Sequence, residues 1–579
     1  MTNHTISDKS DISIVLCGAA GQGIQTVEQF LTHILHEAGY YVAALKEYMS
    51  RVRGGTNSTE IRISSDKVKA YVDRIDIFIP FNKTAISRQR KRITKDTLII
   101  GEPENIRHEL DVKEYNVIEI SWTKIAEEIG HRIYSNTIAA GVITELFNID
   151  EELGTKFLKE RFTPKGEEIV NKNIEAFQKG NEIANEIAKS KGIAIKIKPK
   201  KKTEKEIMVN GADIVGMGAI AGGCNFICSY PMSPSTGVLN FLAKHSNDFD
   251  ILVEQAEDEI AAINAGLGAA YAGARAMVTT SGGGFALMSE GISLSGMIET
   301  PIVIHIAQRP GPATGLPTRT EQGDLELALY SGHGDFPRII LAPGKLKDAF
   351  YITQKAFNMA DEFQVPVIIL TDQFFVDLYY NIPSLDMSDI SIDKHIIKTE
   401  KGYQRYKLTK TGISPRGIPG FGEGLVRADS DEHDEDGFIT EDLENTRVKM
   451  VEKRLKRLEE VKKNVLAPDL IGSKNYETLI VGWGSTCNAI TEALESIGDK
   501  SISFLHFKQV YPLYKKTKEY LEKAKKLVIV ENNVTSQFGK LIKLYTGIDI
   551  ENKILKFTGM PFSVEELTEK IKKVVEGKK

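Results

Sequence analysis

Cysteine is scarce in this chain: there are four in 579 residues, Cys17, Cys224, Cys228 and Cys487, and only Cys224 and Cys228 lie close together. That excludes a disulfide framework, and a lone CxxxC pair has too few thiolates for an iron–sulfur cluster or a closed zinc site. The thiols are therefore expected to be buried and structural, with no metal site in the chain. Long apolar runs are missing too, so no membrane span is expected. The opening MTNHTISDKSDISIVLCG shows neither a secretory nor a transit pattern, which predicts a cytoplasmic location. Neither sign of charge dominates: 74 Lys and Arg stand against 79 Asp and Glu, a net charge of -5, and nothing points to nucleic acid.

Two nucleotide motifs are absent as well. The Gly turns GAAGQG (Gly18, Gly21, Gly23), GMGAIAGG and GWGS sit near strand-to-helix junctions, but none keeps the GxGxxG spacing with an acid placed for a ribose. No Gly-Lys-Ser/Thr follows any of them, so classical NAD binding and a P-loop are both disfavoured. The acidic stretch DSDEHDEDG lacks the spaced ligands and closing Glu of a calcium loop and reads as a solvated turn.

What remains is α/β patterning with a length suited to several domains of roughly 150 residues. The stretch ISIVLCGAAGQGIQTVEQFLTHILHEAGYYVAA reads as strand, Gly turn, helix and strand, opening a first domain over 1–195. A Lys-rich segment over 196–205 reads as an exposed linker. From 206 to 390, apolar strands such as TPIVIHIA and VPVIILTD alternate with helices in the rhythm of a doubly wound sheet. Residues 391–470 read as a connector, including a helix with charge on most faces, and 471–579 as a third α/β domain.

The stretch EQAEDEIAAINAGLGAAYAG at 254–273 places acids at the mouth of a helix built from small residues. Ala262, Gly266, Ala270 and Ala274 recur every fourth position, so they form a smooth face on which another backbone can lie closely. Acids at a helix start are common for electrostatic reasons alone. A carboxyl at a dry, tightly packed interface is the alternative, and Glu259 is the first candidate for it, with Asp258 second.

The surroundings favour that alternative. Glu259 is followed nine positions later by Gly268, and YPMSPST (230–236), TTSGGGFALMSEG (279–291) and QRPGPATGLPTRTEQGDL (308–325) accompany it. Together with GAAGQGIQT, SRVRGGTNSTEIRIS, VENNVTSQFGKLI and GMPFSVEEL, these motifs cover nearly the whole chain. The set resembles the α subunit of the 2-oxoacid:ferredoxin (acceptor) oxidoreductases, in the form with a γ domain fused ahead of α. The resemblance implies three doubly wound α/β domains: γ-like, thiamine-diphosphate pyrimidine-binding, and transketolase C-terminal-like.

It also implies chemistry. Glu259 would hydrogen-bond the aminopyrimidine of thiamine diphosphate, which needs a carboxyl group with a raised pKa in a water-poor site. Tyr230 and Ser233, with Arg309 or Arg319, would hold the substrate carboxylate, for which a guanidinium is the natural bidentate partner. Pro231, Ser281 and Gly282 would line the cofactor. Gly21, Gly23, Arg51 and Arg53 would bind coenzyme A or cap the site, or serve only as loops. The family's Tyr-Pro-Ile-Thr-Pro is here Tyr230-Pro231-Met232-Ser233-Pro234, so the hydroxyl is kept and a methyl lost.

A Gly-Asp-Gly motif followed by Asn, for diphosphate and Mg²⁺, is missing. A separate β subunit is therefore expected to hold both, together with a [4Fe-4S] cluster, in an (αβ)2 assembly that passes electrons to ferredoxin and acyl groups to coenzyme A. The preferred substrate by resemblance is 2-oxoglutarate. Two rival readings are half of a non-redox thiamine-diphosphate 2-oxoacid decarboxylase and a regulatory subunit with a degenerate site.

Overall fold

The computed structural model describes residues 11–19, 24–49, 55–191, 193, 195, 197–200, 203 and 205–577. They fall into two compact units, the first comprising 1–209 with 378–384 and the second 210–377 with 385–579. Three sheets carry them, of eight, seven and five strands.

In the first unit the central strand Asp11–Ala19 is an almost unbroken apolar run, as expected of a strand covered on both faces. It pairs in parallel with Ile77–Pro80, beyond which follow Leu98–Gly101 and Asn116–Glu119. Its other side pairs antiparallel with Thr56–Ser64, followed by Tyr41–Glu47, so this sheet is mixed. The strands Tyr379–Pro383 and Glu206–Asn210 complete it, although both lie in the stretch expected to form the second domain. The cause is an edge that needs covering: Tyr379 and Tyr380 pair with Ala44 and Ala43, and the Val42 amide donates to Asn381 Oδ1 at 2.7 Å. The segment read as an exposed linker is tied down as well, since Tyr40 Oη donates to the Ile197 carbonyl at 3.0 Å and the Lys200 amide to Gly39 at 2.8 Å.

In the second unit the seven-stranded sheet runs Gln509–Tyr511, Ile339–Leu341, Pro366–Asp372, Ile302–Gln308, Ala276–Thr280, Phe226–Ser229, Leu252–Gln255. All its pairings are parallel except that of Gln509–Tyr511, a strand from the expected third domain that covers the edge. The five-stranded sheet runs Asp469–Ile471, Ile502–Phe507, Thr478–Trp483, Lys526–Glu531, Asn552–Leu555. Ile304 and Ile340 of one sheet share a hydrophobic core with Trp483, Leu505 and Phe538 of the other assembly, which explains why the two expected domains form one unit.

The connector is not a loose strap. Its helix Thr446–Lys463 buries Lys453, Arg454 and Arg457. Lys453 Nζ donates to both oxygens of Glu299 at 2.8 and 2.6 Å, and Arg457 donates to the Gln364 carbonyl at 2.6 Å. A second clamp pairs Arg416 with Asp361 at 2.6 Å, with Arg275 3.1 Å from the same carboxylate. Burial alone would push the Glu299 carboxyl up, but Arg457, Lys453 and Arg405 together hold it at about 2. A free Glu titrates at about 4.3, so the stabilisation this group provides is complete above that pH and is lost as the pH falls towards 2.

Removing one member of a buried pair strands the other charge. Glu299→Gln is expected to destabilise the second unit by about 3–5 kcal/mol at neutral pH, read as a lowered melting temperature. Glu569→Gln, which breaks an exposed pair with Lys573 on the last helix, should leave the melting temperature unchanged.

Candidate active site

In a parallel sheet the ends of the strands open onto the crevice where ligands bind. The segments that follow four neighbouring strands of the seven-stranded sheet carry the expected site residues, Glu259 following Leu252–Gln255. Tyr230, Pro231 and Ser233 follow Phe226–Ser229; Ser281 and Gly282 follow Ala276–Thr280; Arg309 follows Ile302–Gln308. The helix Glu259–Tyr271 lies against these strands with Ala262, Gly266 and Ala270 buried, and at Gly266 an added Cβ would come within 2.8 Å of Ile302 Cδ1.

Asp258 is the N-cap of that helix, its Oδ1 accepting from the Ala261 amide at 2.8 Å. The capping role is thereby filled, and Glu259 at the first helical position is free to point inward. Only 3% of Glu259 is exposed, and its Oε1 has no hydrogen-bond partner among the described residues. It lies against Gly284, where an added Cβ would stand 2.3 Å from Glu259 Oε1 and 2.2 Å from Thr280 Oγ1. Burial pushes the Glu259 carboxyl above the usual range; its own backbone amide opposes this, Asp258 adds to it, and Arg309 opposes it.

Two further buried polar atoms have no hydrogen-bond partner among the described residues and lie beside the start of the helix Gly282–Leu287. Ser281 Oγ is one and Asp324 Oδ2 the other, with Asp324 packed against Gly282. Arg309 faces this group: its charge acts on both Glu259 and Asp324, and its Nη1 donates to the Ser233 carbonyl at 2.6 Å. Ser233 itself is exposed, as is 40% of Tyr230. Arg319 is held elsewhere, with Nη1 3.8 Å from Met560 Sδ and its stem beside Gly559. The geometry thus separates the two arginines that sequence alone left equivalent.

A buried polar row that sequence reading did not single out runs beneath the site. The Thr279 amide donates to Ser229 Oγ at 2.9 Å, Thr279 Oγ1 lies 2.7 Å from His305 Nδ1, and His305 Nε2 lies 2.8 Å from Thr371 Oγ1. Burial pulls the His305 pKa down to about 3, so the ring is neutral. Gln308 and Asp324 were also missed. The Asp324 amide donates to Gln308 Oε1 at 2.9 Å, and Gln308 Nε2 donates to the Thr371 carbonyl at 3.0 Å. Asp324 lay in plain view within TEQGDL, but nothing in its spacing distinguishes it from its neighbour Glu321.

Gly21, Gly23, Arg51 and Arg53 lie outside the described residues. All four cysteines are buried and free, and burial pushes Cys17, Cys224 and Cys487 up to about 12. Among the described residues no group of three or more His, Cys, Asp or Glu is arranged to hold a metal, and no helix is long and apolar enough to cross a membrane.

The fold and this arrangement of residues define a class of enzyme that family comparison makes specific. Residues 217–453 match the family described as pyruvate flavodoxin/ferredoxin oxidoreductase, thiamine diphosphate-binding, and residues 13–183 the family described as pyruvate ferredoxin/flavodoxin oxidoreductase. The 2-oxoacid:ferredoxin oxidoreductase subunit alpha of Sulfolobus sp is 31% identical, covering 97% of each chain. The 2-oxoglutarate oxidoreductase subunit KorA of Mycobacterium tuberculosis is 27% identical over 99% of this chain and 94% of its own. The solved 2-oxoglutarate:ferredoxin oxidoreductase of Magnetococcus marinus, with 2-oxoglutarate, coenzyme A and succinyl-CoA bound, superimposes with a TM-score of 0.91 at 32% identity, covering 98% of this chain and 100% of that one. The chain belongs to the α-subunit family of the thiamine-diphosphate-dependent 2-oxoacid:ferredoxin oxidoreductases.

The contact between Gly284 and Glu259 is testable by coupling. Gly284→Ala is expected to lower the melting temperature, an overpacking cost of about 1–3 kcal/mol. Combined with Glu259→Ala, which removes one of the two clashing groups and leaves Thr280 Oγ1, it should cost less than the two single effects added together.

Proposed function

We propose that this chain is the γ–α fused subunit of an enzyme that oxidatively decarboxylates 2-oxoglutarate to an acyl-CoA, with electrons leaving to ferredoxin through a β subunit. The observation that carries the reading is the buried Glu259 carboxyl at the strand ends, whose Oε1 has no hydrogen-bond partner among the described residues and which lies in the field of Arg309. A carboxyl buried without a partner is costly, and a ring nitrogen of the cofactor is a partner of the right polarity. Thiamine diphosphate, when bound, supplies the electron sink that loss of carbon dioxide requires.

The chain's own residues then do three things. Glu259, with its raised pKa, shares a proton with the aminopyrimidine ring, while Gly284 leaves its carboxyl room. Pro231, Ser281 and Gly282 line the ring's approach. Arg309 binds the substrate carboxylate, with Tyr230 and Ser233 on the same rim, and Arg319 has no part in it. The choice of 2-oxoglutarate is supported by the names of the Mycobacterium tuberculosis relative and the Magnetococcus marinus structure.

Mg²⁺ and the diphosphate are assigned to the β subunit, and a [4Fe-4S] cluster with them, as the family resemblance implies, since four scattered cysteines are not a cluster-binding set. Ile260, 48% exposed on the helix that Glu259 opens, and Leu287, 51% exposed on the helix Gly282–Leu287 beside it, are large apolar groups suited to cover by such a partner. An (αβ)2 assembly in the cytoplasm completes the proposal, with Gly21, Gly23, Arg51 and Arg53 assigned to coenzyme A or to capping.

The test is reduction of a low-potential acceptor by the chain co-purified with its β partner, given thiamine diphosphate, Mg²⁺, coenzyme A and a panel of 2-oxoacids. Glu259→Ala is expected to lower kcat by about 10²–10⁴-fold. Arg309→Ala should raise KM for the oxoacid by about 10–100-fold, the size of a lost charge-assisted contact, and Arg319→Ala should leave KM unchanged. Carbon dioxide release without acceptor reduction or coenzyme A dependence would instead identify a decarboxylase half, and inactivity of every reconstituted complex a regulatory subunit.

A further inference from the structure

Gly282 and Gly284, two positions apart, face two different carboxyls. Glu259 lies at Gly284; at Gly282 an added Cβ would stand 2.3 Å from Asp324 Oδ1 and 2.4 Å from Oδ2. Glu259 has a role in the reading above, whereas Asp324 has none. Its place is nevertheless built: the Gln308 side chain accepts from its amide and is itself pinned to the Thr371 carbonyl, so Asp324 is fixed beside the residue that precedes Arg309. Its Oδ2 is buried and has no hydrogen-bond partner among the described residues.

The charged groups around Asp324 are few. Arg309 attracts it, and Glu321 on its own loop repels it. Glu326, on the helix Leu325–Tyr330 that follows, is engaged by Lys540 at 3.0 Å, and the helix Gly282–Leu287 contributes no titratable side chain. Burial, reinforced by Glu321 and opposed by Arg309, pushes the Asp324 carboxyl up to about 7. Glu259 also acts on the same guanidinium. Two protein carboxyls therefore lie in the field of one guanidinium, whose hydrogen bond goes to the Ser233 carbonyl, and a substrate carboxylate would be a third.

Three carboxylates on one partly buried cation leave excess negative charge, and the arrangement is relieved when one acid takes up a proton. Resting on the assignment of Arg309 to the oxoacid carboxylate, we propose that Asp324 is the proton-linked positioning residue of the substrate pocket. Ionised, it adds a buried negative charge beside the pocket that opposes an incoming carboxylate; protonated, it withdraws that charge and leaves the field of Arg309 to the substrate, so that the oxoacid binds together with one proton from solvent. That proton returns to solvent when the pocket empties. Asp324 thus makes oxoacid affinity depend on pH across the neutral range, and the bond-making chemistry stays with the groups already described.

The experiment uses the full chain with its β partner, loaded with Mg²⁺ and thiamine thiazolone diphosphate, an analogue that cannot react, and titrated with 2-oxoglutarate by calorimetry. Runs at pH 6 and pH 8, each in two buffers of different ionisation enthalpy, count the protons bound. For a group titrating near 7, the expected uptake is about 0.1 proton at pH 6 and about 0.9 at pH 8, with affinity about tenfold weaker at pH 8. Asp324→Asn, an isosteric stand-in for the protonated acid, should bind at both pH values with equal affinity and no Asp324-linked uptake, while Glu259→Gln should keep the wild-type proton count. Wild-type binding with pH-independent affinity and no proton uptake would overturn the role of Asp324, and that result does not depend on any variant folding. Uptake that persists in Asp324→Asn and vanishes in Glu259→Gln would overturn it too. Failure of 2-oxoglutarate, pyruvate and branched-chain oxoacids to bind at either pH would overturn the substrate assignment of Arg309, and this inference with it.

Discussion

The site depends on a carboxyl group removed from water, one oxygen of which has no hydrogen-bond partner among the described residues. Such a group costs a fold free energy unless something else in the folded molecule requires it. The helix Glu259–Tyr271 accommodates one because two tasks that acids usually perform at a helix start are divided between neighbours. Asp258 satisfies the exposed amide of the first turn, and Glu259 is left with its carboxyl pointing inward. Everything close to it is shaped by this choice: small residues let the helix lie on the strands, and Gly284 stands where any side chain would displace the carboxyl.

Elsewhere in the second unit buried charge is handled in the opposite way. Glu299 and Asp361 are as inaccessible as Glu259, yet each is met by cations from the segment 391–470, Lys453 and Arg457 for one and Arg416 for the other. Neutralised acids fasten a chain segment, whereas a buried acid left unmatched keeps an open valence. Glu259 and Asp324 differ in that each keeps a buried oxygen with no hydrogen-bond partner among the described residues and shares only the field of Arg309, an arrangement that suits the proposed arrival of a group from outside the chain.

How much of this can be read in sequence follows from how local each signal is. The strand IVIHIA, the small face of the helix at 259 and the motif QRPGP are short-range patterns, and each lies in an element that positions the site. What escaped depends on residues far apart in the chain. Lys453 and Arg457 read only as part of a connector helix with charge on most faces, because Glu299 lies about 150 positions earlier, with nothing in its own neighbourhood to announce the pairing. The strands Glu206–Asn210, Tyr379–Pro383 and Gln509–Tyr511 were placed with their sequence neighbours, while edge coverage sends each to another sheet or to the end of one. The choice between Arg309 and Arg319 was open for the same reason, since only packing shows that one faces the acids and the other faces Met560.

The polar row under the site shows why precise placement is attainable at the ends of these strands. His305 is pulled down to about 3 by burial and so remains an uncharged bridge between Thr279 and Thr371, linking three adjacent strands at the level where their chains turn into the site loops. Thr371 carries the linkage onward through its carbonyl to Gln308, and Gln308 to the Asp324 amide. A strand can slide or tilt relative to its neighbours only by breaking bonds that have no water to replace them. The guanidinium of Arg309 is therefore referenced, through the backbone of its own strand, to the same framework that fixes Asp324. Groups whose function depends on small differences in charge separation need such a shared frame, and in this fold it is built from uncharged side chains that contribute no field of their own.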